Sequence, residues 1–269
     1  MGLQRKGGSA VSRTRYLDLD DRNEDAREVM RANPRDAKQF MEKYELSWVY
    51  HENALEGMVL THAELRQAFE PAGVVVDSSM VNTWQEIRNQ KAAIDFIKAA
   101  SKSKGVKFNL TLVKKLYEIL FRELPNRMPP TFRKDMPLHR TYFHDIVQPL
   151  LIQPGLEQLF DFMASEEFKK LHPVKQATHS HHRFMELFPY SDLSGKVGRM
   201  MMNLILLRAG YLPVIVHSSD RQKYYEGLRL PATQFGAVIM DAMDNTLDNI
   251  FKNFIPGYDE TARRKAASE

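Results

Sequence analysis

The stretch Phe188-Pro189-Tyr190-Ser191-Asp192-Leu193-Ser194-Gly195-Lys196-Val197-Gly198-Arg199 decides how this chain is read, because a polar, glycine-bearing turn with two cations runs straight into an apolar helical segment at 200–209. Backbone N–H groups at a helix start lack intrahelical partners and carry the positive end of the macrodipole. A phosphate is stabilised at such a place, here with Lys196 and Arg199 close by, and Asp192 is positioned to hold a magnesium ion beside it. The turn alone is equally compatible with ordinary helix capping by Asp192 or Ser194.

Outward from that turn the pattern is helical. Helices are expected over 156–171, 173–187 and 196–209, the last closed by Gly210 where a helix C-cap glycine belongs. Upstream, Phe40, Tyr44 and Trp48 recur at four-residue spacing, Thr61 and Glu64 form a capping box for a helix over 63–69, and apolar periodicity continues over 78–100 and 110–124. A final helix is expected over 232–253, after the turn at Leu230-Pro231. Residues 1–36 read as a flexible lead with a weak helix near 22–32, closed by Pro34. Between Pro125 and Pro149 the composition turns to proline, methionine and aromatic residues, the one place where a short β-hairpin is expected, near 136–144. The fold class expected is therefore all-α, a helical bundle with a short hairpin, divided into a lead (1–36), N-terminal helices (37–105), a core (106–230) and a C-terminal helix and tail (231–269).

Composition sets outer bounds. With 269 residues, 43% hydrophobic and 27% charged, the chain has the balance of a globular protein. The longest apolar run, 200–207, is interrupted by Asn203 and falls short of the roughly 20 residues that cross a bilayer. The N-terminus has charge but no apolar core of a secretory signal. No cysteine is present, which excludes disulfides, thiol catalysis and zinc–thiolate sites and favours a cytoplasmic setting. The net charge of +4 is too small to argue for nucleic acid. Part of it lies in the ends, with Arg5, Lys6, Arg13 and Arg15 at one and Arg263, Arg264 and Lys265 at the other, which read as solvated tails.

The quoted turn resembles the signature of the Fic family, H-x-F-x-[D/E]-G-N-G-R-x-x-R, and the run from Leu171 to Val216 follows the family's texture on both sides. The family's histidine falls on Phe188, its aromatic position on Tyr190, its acidic position on Asp192, its Gly-Asn-Gly on Leu193, Ser194 and Gly195, and its two arginines on Lys196 and Arg199. The resemblance, which extends over about 44–228, implies a Fic fold whose loop and helix start cradle the phosphates of ATP or another nucleotide. Ser194, Gly195, Lys196 and Arg199 are then the binding residues, Asp192 the Mg²⁺ residue, and Arg199 the one that meets the terminal phosphate. Lys196 keeps the charge but not the planar fork of arginine, and Leu193 adds bulk where the family has a glycine.

The family reaction needs a base to take the proton of a target hydroxyl as it attacks the α-phosphate. Phe188 has no titratable group, and general-base catalysis contributes about 10²- to 10⁴-fold. His179, His181 and His182 lie just upstream, although the spacing of Ala177, His181, Phe184 and Leu187 makes His181 a packing residue. A second stretch, Trp48 to Gly57, resembles the family's inhibitory helix, [S/T]-x-x-x-E-[G/N]. The resemblance implies that Glu56 pairs with Arg199 and blocks the terminal-phosphate pocket; Glu52 stands where the Ser or Thr belongs. The segment 125–149 would be the family's flap, aligning a target protein by strand addition, or equally an irregular surface loop. Arg221, Tyr224 and Tyr225 flank a base pocket or pack the core.

The function expected is that of a diverged Fic protein binding a nucleotide or phosphate metabolite, impaired in ordinary AMP transfer and acting as a regulator or pseudoenzyme. Two alternatives stand beside it: a transferase or hydrolase using a substitute base, and an interaction scaffold without ligand.

Overall fold

The computed structural model describes residues 13–69, 81–103, 105–125, 131–137 and 144–259. Among these the chain forms α-helices and 3-10 turns: α1 (Arg13–Ala32), α2 (Pro34–Leu55), α3 (His62–Phe69), α4 (Val81–Ser101), α5 (Leu110–Phe121), α6 (Ile152–Ala164), α7 (Glu166–Lys169), α8 (Pro173–Leu187), α9 (Ser194–Arg208), α10 (Arg221–Gly227) and α11 (Ala232–Phe254). The all-α expectation holds, and α8 and α9 lie where the apolar spacing puts them. The expected hairpin falls partly on residues 138–143, outside the described residues, and the flanking 131–137 and 144–148 carry no strand.

Local chemistry explains the boundaries. Pro173 opens α8 while the His172 ring accepts the Val174 N–H at 3.3 Å. The capping box of α3 is present, with the Glu64 N–H donating to Thr61 Oγ1 at 3.2 Å and Thr61 Oγ1 to Glu64 Oε2 at 2.8 Å. Gly210, at φ +86°, ends α9 in the left-handed conformation. The single helix expected over 156–171 is instead two, because Ser165 is extended (ψ 155°) and its hydroxyl accepts the Phe168 N–H at 3.1 Å, starting α7 anew. The helix expected to reach 124 stops at Phe121, where Asn89 donates to the carbonyls of Leu120 and Arg122 at 3.1 and 2.7 Å.

At the centre stands α9, buried from Ser194 to Leu206. A helix apolar on every side belongs inside a core, and α8, α4 and α5 pack around it, with α11 and α6 behind α8. Gly198 lets α8 and α9 approach, since a Cβ there would meet Phe184 Cδ1 at 3.0 Å and His181 Nδ1 at 3.1 Å. Asn203, the one interruption of the apolar run, exchanges two hydrogen bonds with the Val214 backbone at 2.9 and 2.7 Å and so pins the chain that leaves α9.

The lead departs from expectation. Its helix already runs from Arg13, the first described residue, rather than from near 22, and packs against α11, with Leu19 and Ala26 buried. Arg15, read as part of a solvated tail, pairs with Asp241 and Asp244, and Arg22 pairs with Asp244 and, at 2.6 Å, with the buried Asp248. These partners sit more than 200 residues downstream, so the local sequence cannot announce them. Arg22→Ala should lower stability by about 3 kcal/mol in urea denaturation, because it leaves Asp248 buried without its cation.

Candidate functional site

The Tyr190–Arg199 turn and the end of α2 meet face to face. At the turn's left edge Phe188 caps α8 at φ +41°, donating its N–H to Phe184 O at 2.9 Å, and Leu193 precedes α9 at φ +57°. Both are non-glycine residues in left-handed conformations, which cost roughly 1–2 kcal/mol each. The surroundings hold them there. Ser194 Oγ accepts the Tyr190 N–H at 2.8 Å and donates to the Tyr190 carbonyl at 2.9 Å, so a buried hydroxyl closes the loop where the family carries asparagine.

Arg133, a residue the sequence reading missed, holds the other side. Its guanidinium donates to the carbonyls of Phe188 at 2.8 Å and Leu187 at 3.3 Å and also to Val147, and its backbone N–H donates to Pro189 O at 2.9 Å. A cation on the last carbonyls of α8 satisfies groups the helix leaves open. The segments 131–137 and 144–148 are thereby fastened beside the turn.

Arg199 is the centre of the site, with 1% of its surface exposed. Its Nε donates to Glu52 Oε2 at 2.8 Å, Nη2 to Glu56 Oε1 at 2.9 Å, and Nη1 to Tyr224 Oη at 3.4 Å. Burial by itself would push its pKa down, but Glu52, Tyr224 and Glu56 together raise it well above the ordinary arginine value. The expected Glu56–Arg199 pair is present, and Glu52 adds a second carboxylate that the sequence reading treated only as a departure. Lys196 Nζ donates to Asn53 Oδ1 at 3.0 Å, so the last turn of α2 and its C-cap cover both cations.

Glu56 also touches the start of α9. A Cβ at Gly195 would fall 2.6 Å from Glu56 Oε1 and 3.0 Å from Arg199 Nη1, so only glycine admits the carboxylate there. An anion thus already sits against the first turn of α9, the position that favours negative charge. Asp192, half-buried, accepts from Tyr117 Oη at 3.0 Å, and the Tyr117 and Tyr190 rings stack at 4.0 Å.

Of the three upstream histidines, His179 is half-buried on α8, and His181 and His182 are committed elsewhere. His181 is buried with Nε2 on Tyr224 Oη at 2.7 Å, and burial followed by the charge of Arg199 pushes its pKa down to about 3. Tyr224 is pushed up to about 12 by burial, against the pull of Arg199. His182 Nε2 meets the Leu230 carbonyl at 2.8 Å. Arg221 and Tyr225 bind the Leu55 carbonyl at 2.8 and 3.2 Å, holding the end of α2 rather than framing an open pocket. Phe188 is buried, its ring edge-on to His144 at 6.2 Å.

The unfolded chain protonates His181 near its ordinary pKa of about 6.5, whereas the folded protein does not until about 3. Its contribution to stability is therefore complete above pH 6.5 and is lost as pH falls through that window. Denaturation midpoints should drop below pH 6.5 with a share near 1.4 kcal/mol per pH unit from this group. His181→Phe should flatten the dependence, and an unchanged slope would contradict the assignment.

Residues 107–206 match the family model described as Fic/DOC family. The Protein adenylyltransferase Fic of Drosophila virilis is 30% identical over 243 residues, covering 87% of this chain and 48% of that protein. That of Drosophila persimilis is 31% identical over 209 residues, covering 74% and 39%. The chain spans about half the length, or less, of these curated relatives. Among solved structures, Fic-1 from C. elegans superposes with a TM-score of 0.73 at 18% identity, covering 90% of this chain and 71% of that one. A Fic-domain-containing signalling protein from Bacteroides thetaiotaomicron gives 0.72 at 19%, covering 89% and 96%. At those identities the structures speak for the fold alone; the match over residues 107–206 and the adenylyltransferase relatives make this chain a member of the Fic/DOC family.

Proposed function

We propose that this chain binds a nucleotide or related phosphate-containing ligand at the start of α9, with Glu56 as the competing internal anion, and that it is impaired in histidine-dependent AMP transfer, acting as a regulator or pseudoenzyme. The observation that carries the reading is the Glu56 carboxylate lying between Gly195 and Arg199, where a phosphate of a bound nucleotide would lie. A site that accommodates a half-buried carboxylate against the glycine of the first turn of α9 and on a guanidinium fits a phosphate oxygen by the same chemistry.

In this reading Gly195, Ser194 and Lys196 line the phosphate chain, and Arg199 exchanges Glu56 for the terminal phosphate. Asp192 is the residue for Mg²⁺, an ion commonly held by one or two carboxylates plus substrate phosphates. When bound, the ion would neutralise phosphate charge and orient the chain. Tyr117 holds the Asp192 carboxylate in orientation through its 3.0 Å hydrogen bond.

The impairment rests on position 188 and its surroundings. Phe188 offers no base, and His181 on α8 is bound to Tyr224 and, with its pKa pushed down to about 3, is a poor proton acceptor. A target protein would approach along 131–137 and 144–148, which Arg133 fastens beside the turn.

Two variants separate the outcomes. Calorimetric shifts with a nucleotide panel, with and without Mg²⁺, should be small for the native chain and larger for Glu56→Gly, since a ligand of the folded state raises stability by mass action. Self-labelling from α-labelled nucleotide should stay at background in Glu56→Gly and rise by about 10²-fold or more in Phe188→His/Glu56→Gly. Labelling by Glu56→Gly alone at the level of the double variant would overturn the impairment and favour a substitute base. No thermal shift in any variant would overturn ligand binding and leave a scaffold.

A further inference from the structure

The two glutamates on Arg199 are not equivalent. Glu56 is the C-cap of α2, just past its last residue and ahead of Gly57 at φ +93°, and its side chain is 24% exposed. Glu52 lies one turn inside the helix with 4% exposure, and both its oxygens are used: Oε2 accepts from Arg199 Nε at 2.8 Å and Oε1 from Trp48 Nε1 at 3.3 Å. Trp48 is itself buried, as is the rest of this face of α2. A ligand can displace Glu56 by taking over Nη2 of Arg199. Glu52 faces the Nε edge from within the core and stays.

We propose that Glu52 determines ligand specificity: it cancels one of the two positive charges of the turn permanently, so that the site takes nucleotides with a two-phosphate chain rather than triphosphates. The inference rests on the reading of the turn as a nucleotide site. With Glu56 displaced, Arg199 meets the ligand through its Nη edge while Lys196 stays buried on Asn53 behind it and Glu52 is still in place, a sum of one positive charge from these three groups instead of two. The other charges of the neighbourhood are the same with or without Glu52: Asp192 with the Mg²⁺ assigned to it, Arg133 on the Phe188 carbonyl and Arg221 on the Leu55 carbonyl. A diphosphate chain carries one negative charge fewer than a triphosphate and matches the reduced field. Arg199 meanwhile loses its Nε to Glu52 and keeps only its Nη edge for the ligand, enough for one terminal phosphate.

The test measures affinity on Glu56→Gly by calorimetry for ADP against ATP, UDP against UTP, GDP against GTP and CDP against CTP, at constant Mg²⁺. In whichever pair binds, the diphosphate should bind at least as tightly as the triphosphate. Adding Glu52→Gln should move the ratio toward the triphosphate by about tenfold. If that double variant does not fold, Glu52→Ser in the same background carries the comparison, with the residue type the family has there. A triphosphate preference of about tenfold in Glu56→Gly, or a ratio indifferent to the charge at 52, would overturn the proposal while leaving the nucleotide site intact. Binding of neither member of any pair would instead refute the nucleotide reading, and this proposal with it.

Discussion

A guanidinium buried to 1% exposure has to be answered by charge, and the answer organises the site. Arg199 rises from the central helix into the end of α2, which supplies Glu52 and Glu56, while α10 supplies Tyr224. The same contact joins the end of α2 to α9, explains why residue 195 has no side chain, and adds to the burial that keeps His181 neutral. Tyr224 links two of them, because its hydroxyl lies 2.7 Å from His181 Nε2 and 3.4 Å from Arg199 Nη1.

Charge in this cluster is balanced within a few ångströms, two cations of the turn against two carboxylates of α2. The balance is built from residues 143 and 147 positions apart, which makes it a tertiary device rather than a local one. Its parts differ in permanence. Glu52 and Asn53 belong to the packed face of α2, where Asn53 and Gln90 exchange amide hydrogen bonds at 2.8 and 2.9 Å, whereas Glu56 sits where the helix ends. A displaceable anion on a fixed cationic floor is the arrangement expected of a site that an external phosphate would contest.

What the sequence discloses follows from the range of the forces involved. The limits of α8, the Thr61–Glu64 capping box and the Gly210 terminus are local chemistry, and each is legible in a few residues. The Glu56–Arg199 pair is legible only through the family resemblance, since charge spacing gives no reason to join positions so far apart. Glu52 was within reach, because a residue four before Glu56 lies on the same helix face. Arg133 was not, since its partners are backbone carbonyls that leave no trace in side-chain pattern. The extension of α1 back to Arg13 is hidden for the related reason that its polar face is completed by Asp241, Asp244 and Asp248 of the last helix. Ser194, read as a departure from the family's asparagine, turns out to tie the loop to Tyr190 by a different hydrogen bond pair.

The central claim is that the Glu56 carboxylate stands where a ligand phosphate would bind. A crystal structure of Glu56→Gly with the tightest nucleotide tests it most directly. The account predicts a phosphate oxygen against Gly195 and within hydrogen-bond distance of Arg199 Nη2, with Glu52 still on Nε. A nucleotide bound elsewhere, or an Arg199 side chain turned away from α2 with the α9 N-terminus vacant, would contradict it.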